Sequence, residues 1–196
     1  MGDHALVGGV PAWWRRALWV VASLGLLGLG VWAGLATVGG RDEPAPEAIV
    51  ALAGPNDRIR SARSLVERGI APRLMTTLVD PGCIRRGGSP ASCRSGVRST
   101  VDEALLMRRV LRDERIRRVV VVTSGYHRFR AALIFGIVFF GSETRVRVVG
   151  TPEAGTRALI AREVLKMLPS GVGALVGRVS PGLYTRLAHL VESGAR

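Results

Sequence analysis

From residue 48 onward, short continuous apolar runs alternate with stretches whose apolar positions recur every three or four residues. The run 48–53 (AIVALA) ends in Gly54-Pro55-Asn56-Asp57, a turn and helix-start signal, and so predicts a buried strand leading into a helix. That helix is expected over 58–67, with Ile59, Ala62, Leu65 and Val66 on one face and Gly69 as its stop. Residues 73–79 (RLMTTLV) predict a second strand, 80–98 a long loop, and 100–112 a second helix with Val101, Ala104, Leu105, Val110 and Leu111 apolar. Four successive valines within 117–124 predict a central strand buried on both faces. An apolar helix is expected over 127–140, a fourth strand over 145–150, a helix over 156–168 and a last one over 183–193. Strands alternating with helices imply right-handed βαβ units, hence an α/β, Rossmann-like fold with a parallel sheet and helices on both faces. Ligands of such sheets bind beyond the carboxyl ends of the strands, so 54–57, 77–82 and 123–127 are expected to meet at one rim.

Upstream the pattern changes. Residues 17–39 form a 23-residue apolar stretch without a charge, about 35 Å as a helix and long enough for the roughly 30 Å hydrocarbon core of a bilayer. Trp13, Trp14 and Trp19 suit the headgroup region at one end. Arg15 and Arg16 precede the stretch and Asp42, Glu43 and Glu47 follow it, which orients the N-terminus inside. The expected organisation is a cytoplasmic tail over 1–16, a transmembrane helix over 17–39, a Pro-rich linker over 40–47 and an extracytoplasmic domain over 48–196, in the plasma membrane. The rival is a cleaved signal peptide ending at Thr37-Val38-Gly39, although its apolar region is ordinarily only about 7–15 residues. Gly30 and Gly34 have the GxxxG spacing of a helix-pairing homodimer, against chance in a Gly-rich run.

At 196 residues and 47% hydrophobic, the chain has material for one domain plus an appendage, which excludes disorder throughout, collagen and a disulfide scaffold. The net charge is +13, and Lys166 is the only lysine among 28 basic residues. Such a surface attracts phosphates, anionic lipid or acidic polymers, and arginine grips phosphate with a two-bond fork. The competing reading is a solvated arginine surface. Charge alone suggests nucleic acid, but the chain has no aromatic-rich binding surface and its expected export argues against that partner. Cys83 and Cys93 bracket a bendable Gly-, Ser- and Pro-containing stretch with no further Cys or His at zinc-ligand spacing, so no metal site is expected there. They form either a disulfide, which needs an oxidising compartment, or two unpaired thiols.

The candidate chemistry concentrates where the central strand meets the next helix. Thr123 and Ser124 can donate to phosphate oxygens, the helix start favours an anion, and Arg130 lies about one turn along. His127 is the candidate catalytic acid or base. Equally, Ser124 is a helix cap and His127 a locally packed ring. A Ser124–His127 nucleophilic pair is disfavoured, because the GxSxG turn is missing and no third orienting group is identifiable. Gly54 and Asn56 could bring a backbone N–H and an amide to the same rim, while Asp57 reads as a helix cap. Ser99 with Asp102 and Glu103 reads as a capped, dipole-favourable helix start that could lend Thr100 to the site.

Over roughly 47–168 the chain resembles the YdcF, SanA and ElyC group, a domain often found behind one membrane helix. The most specific part is VVVVTSGYHRFRA, which resembles the group's strand followed by TSxYHxxRA, with Thr123, Ser124, Tyr126, His127, Arg130 and Ala131 in place. EAIVALAG, ARSLVERGIAPRL and STVDEA resemble its first strand, first helix and second helix start, the last with Thr100 and Ala104 retained. The group's glycines after the first strand are reduced to Gly54-Pro55-Asn56, and its Ser-Gly-Gly after the second is Thr77-Leu78-Val79 here. The resemblance implies a role in cell-envelope biogenesis, handling a phosphorylated lipid carrier or peptidoglycan precursor. The expected function is binding of such an intermediate through Gly54, Asn56, Thr100, Thr123, Ser124 and Arg130, with hydrolysis through His127. The alternative is a non-enzymatic envelope-binding module. No motif identifies a cofactor.

Overall fold

The valine run lies at the centre of the molecule. In this computed structural model, which describes residues 44–153 and 155–194 together with 13, 14, 18–23, 25 and 28, strand β3 is Arg118–Thr123. It pairs in parallel with β1 (Ala48–Ala51) on one side and β4 (Arg145–Gly150) on the other. Val121 stands between Val50 and Val148 in register. A short edge strand β2 (Leu74–Thr76) pairs with β1, giving the all-parallel order β2-β1-β3-β4. The expected α/β, Rossmann-like sheet is therefore present.

Side chains alternate between two cores. Val50, Leu52, Val119, Val121 and Val148 face one way, onto helices α3 (Thr100–Asp113), α4 (Arg128–Phe139) and α5 (Arg157–Val179). Ile49, Ala51, Val120 and Val122 face the other way, onto helix α1 (Asn56–Glu67) through Ile59, Ala62, Leu65 and Val66. Both faces of β3 are covered, which is why its sequence does not alternate. Ile134 of α4 is fully buried, so Ile134→Val should lower stability by about 0.5–1.5 kcal/mol in a denaturant titration, with the slope unchanged.

The connections depart in opposite directions from the two middle strands. From β1 the chain crosses by α1 to β2, whereas from β3 it crosses by α4, on the other face, to β4. Between the carboxyl ends of β1 and β3 this leaves a crevice, where an open α/β sheet holds its ligand.

Four boundaries differ from expectation. The second strand ends at Thr76 rather than at 79, because it pairs only with β1 and Thr77 turns inward. The long loop contains a short helix, α2 (Pro81–Arg85), capped by Asp80, whose carboxylate accepts from the Gly82 N–H at 2.9 Å. A 3-10 turn (Gly125–His127) precedes α4. Helix α5 runs through Pro169 to Val179, because Gly171, Ala174 and Gly177 of its second half are buried. A final helix, α6 (Pro181–Gly194), follows.

Cys83 and Cys93 are disulfide-bonded, with Cα atoms 5.5 Å apart. Gly88 makes the closure sterically possible, since a Cβ there would collide with the Cys93 sulfur. Reducing the bond should cost about 3 kcal/mol in the chain-entropy account, seen as a lower melting temperature with reductant and an equal loss in the Cys83→Ser, Cys93→Ser variant.

The expected membrane helix over 17–39 falls largely outside the described residues, as do Gly30 and Gly34. Among the described residues no helix is long and apolar enough to cross a membrane.

Candidate functional site

Three elements converge on the crevice. The loop after β1 supplies Ala53 and the first turn of α1 supplies Arg58, the β3–α4 junction supplies Tyr126, His127 and Arg130, and the start of α3 supplies Thr100 and Glu103. Glu163 and Lys166 of α5 close one side, and Arg98 and Ser99 another. Together they line a cavity of about 480 Å³.

The start of α3 is held by a capping box. Ser99 Oγ accepts from the Asp102 N–H at 3.2 Å, and the Asp102 carboxylate accepts from the Ser99 N–H at 2.9 Å. Since Ser99 does the capping, the hydroxyl of Thr100 serves another partner, Nε2 of His127 at 3.2 Å. His127 Nδ1 lies 2.5 Å from Glu163 Oε2. Arg130 clamps the same carboxylate, with Nε 2.7 Å from Oε2 and Nη2 3.3 Å from Oε1, and Lys166 Nζ stands 3.8 Å from Oε1. Burial pushes the Glu163 carboxyl up, but hydrogen bonds from Arg130 and His127 outweigh it and hold the group below the usual carboxylate range. An ionised Glu163 keeps the proton on Nδ1, so Nε2 accepts from the Thr100 O–H.

His127 is almost completely buried. Burial, reinforced by the Arg130 charge, depresses its pKa from 6.5 to about 4 against the pull of Glu163. A depressed folded-state value means the unfolded chain binds the proton more readily. Stability contributed by neutral His127 is thus fully present above pH 6.5 and is lost as the pH falls through about 4. Melting temperatures measured across that window should decline, and more shallowly in His127→Gln.

On the opposite wall, Glu103 Oε1 accepts from the Ala53 N–H at 2.6 Å and from Thr77 Oγ1 at 2.5 Å. Burial raises the Glu103 carboxyl, although these hydrogen bonds and the charges of Arg58 and Arg130 oppose it. Buried Arg58 bridges the two strand ends. Its Nε donates to Ser124 Oγ at 3.0 Å and its guanidinium also donates to the Ala53 carbonyl. Gly54, at φ +140°, makes room for it, since a Cβ there would lie 2.6 Å from Nη1.

Of the residues singled out in the sequence, Thr100, His127 and Arg130 line the cavity. Ser124 lies buried behind Arg58 and makes no side-chain cap bond, so the helix-cap reading of it is corrected: its hydroxyl serves Arg58 instead. Thr123 is fully buried beneath the rim, its Oγ1 without a hydrogen-bond partner among the described residues. Gly54 packs under Arg58, and Asn56 is exposed at the first turn of α1, off the cavity lining. Asp57 does not cap α1; its carboxylate accepts from Thr151 Oγ1 at 2.8 Å, tying α1 to the end of β4. Of segment 77–82, only Thr77 reaches the site, through Glu103.

Sequence reasoning missed Arg58, Glu103 as a site group, and Glu163. Arg58 and Glu103 sit in the first turns of helices that follow rim segments, a position that marks them in retrospect. Glu163 lies 36 residues beyond His127 on a different helix, and no spacing rule connects the two. Among the described residues no group of three His, Cys, Asp or Glu could hold a metal ion. Compared with models of protein families, with curated proteins and with solved structures, the chain matches none.

Proposed function

We propose that the rim cavity binds a phosphate-bearing envelope or carrier-lipid intermediate and hydrolyses its ester, with His127 moving the proton, in an extracytoplasmic domain tethered through residues 17–39. One observation carries the reading: Arg58, Arg98, Arg130 and Lys166 line a single cavity at the switch point of the sheet against only two carboxylates, Glu103 and Glu163. A cleft with that balance concentrates anions, and arginine forks match phosphate oxygens. The Cys83–Cys93 bond fits an oxidising compartment, and the likeness of 123–131 to TSxYHxxRA supports an envelope role.

Calorimetric titration of the protein with inorganic phosphate and with farnesyl phosphate tests this. Both should bind, raise the melting temperature and weaken with added salt. Absence of heat and of stabilisation with both ligands would overturn the reading. Binding without release of phosphate from farnesyl phosphate would assign the non-enzymatic module instead.

A further inference from the structure

We propose that Thr100 is the nucleophile of a Thr100–His127–Glu163 triad and that the reaction passes through a phosphothreonine at Thr100. The inference rests on the phosphate-binding reading and adds to it a covalent intermediate and the residue that carries it. The geometry has the three contacts such a mechanism needs. A hydroxyl, Thr100 Oγ1, lies 3.2 Å from one ring nitrogen of His127, and a carboxylate, Glu163, holds the other at 2.5 Å. A fourth group, Arg130, fixes that carboxylate. All these side chains line the cavity. The helix start requires nothing of the Thr100 hydroxyl, because Ser99 caps α3. Ser124, three residues before His127, has its hydroxyl engaged by Arg58 and does not line the cavity. Thr100 is also the first residue of α3, where the positive end of the helix favours negative charge gathering on a transferring phosphoryl group.

The steps balance. Thr100 Oγ1 bonds to phosphorus as its proton passes to His127 Nε2, and the bond from phosphorus to the leaving oxygen breaks. The proton on His127 goes to that oxygen, releasing the alcohol. Water then bonds to phosphorus, His127 takes its proton, the Oγ1–phosphorus bond breaks, and the proton returns to Oγ1. The net reaction is ester plus water to alcohol plus phosphate.

The test compares wild type with Thr100→Val, Thr100→Ser and His127→Gln, using p-nitrophenyl phosphate turnover, mass spectrometry after acid quench, and calorimetry with inorganic phosphate. Thr100→Val should lose at least about 10²-fold in turnover, well beyond the smaller losses of phosphate affinity and melting temperature that follow from removing one hydroxyl contact, and Thr100→Ser should restore much of all three. Acid-quenched wild type should carry one phosphoryl group, mapped to Thr100, and Thr100→Val none. Turnover retained in Thr100→Val would overturn the triad and make His127 the activator of water. Wild type that binds phosphate but shows neither turnover nor phosphothreonine also overturns it, while leaving the binding reading intact. Failure of phosphate to bind overturns both.

Discussion

His127→Gln is expected to reduce phosphate-ester turnover by about 10²–10⁴-fold while the fold survives, as measured by p-nitrophenolate release and by an unchanged circular dichroism spectrum. Glutamine can still hydrogen-bond within the buried site, so the loss would reflect proton transfer rather than collapse. In wild type, His127 is held neutral until the pH approaches about 4, because burial and the Arg130 charge disfavour its protonated form. The acidic limb of kcat/KM should therefore lie well below 6.5, the ordinary histidine value. A limb at that ordinary value would mean the ring is not enclosed as the geometry requires.

Arg58→Met should lower affinity for inorganic phosphate by about 10²-fold, through loss of a charge-assisted hydrogen-bond donor at the cavity wall. It should also cost about 1–3 kcal/mol of stability, because the buried Ser124 hydroxyl and the Ala53 carbonyl both lose a donor. Gly54→Ala provides an independent check. Its Cβ would press on the guanidinium while φ stays at +140°, so it should shift Arg58 and reproduce part of the affinity loss without removing the charge. Calorimetry on both variants reads the two effects. Equal affinity in wild type and Arg58→Met would exclude Arg58 from the anion site.

Why these two residues differ in legibility is physical. His127 follows a run of valines that no helix period accommodates, and the junction after such a strand is where α/β folds place ligands, so its position followed from local pattern. Thr100 and Arg130 were legible for the same reason, each standing in the first turn of a helix that borders the rim. Arg58 looked like an ordinary solvated helix residue, and only the glycine three residues past β1 and the depth of Ser124 draw its guanidinium inside. Glu163 was illegible because its role depends on how α5 packs across α4. Local rules also stop α5 at Pro169, yet burial of Gly171, Ala174 and Gly177 outweighs the lost backbone bond and carries the helix ten residues further, to Val179. The edge strand β2 shortens for a related reason: with one neighbour, it has half the pairing that holds β3 extended.

The most direct test of the anion site is a crystal structure of the protein grown with inorganic phosphate. The expected result is a phosphate in the cavity, in hydrogen-bond contact with Arg58 and Thr100 and close to His127. A cavity that stays empty while phosphate sits elsewhere on the basic surface would contradict the account.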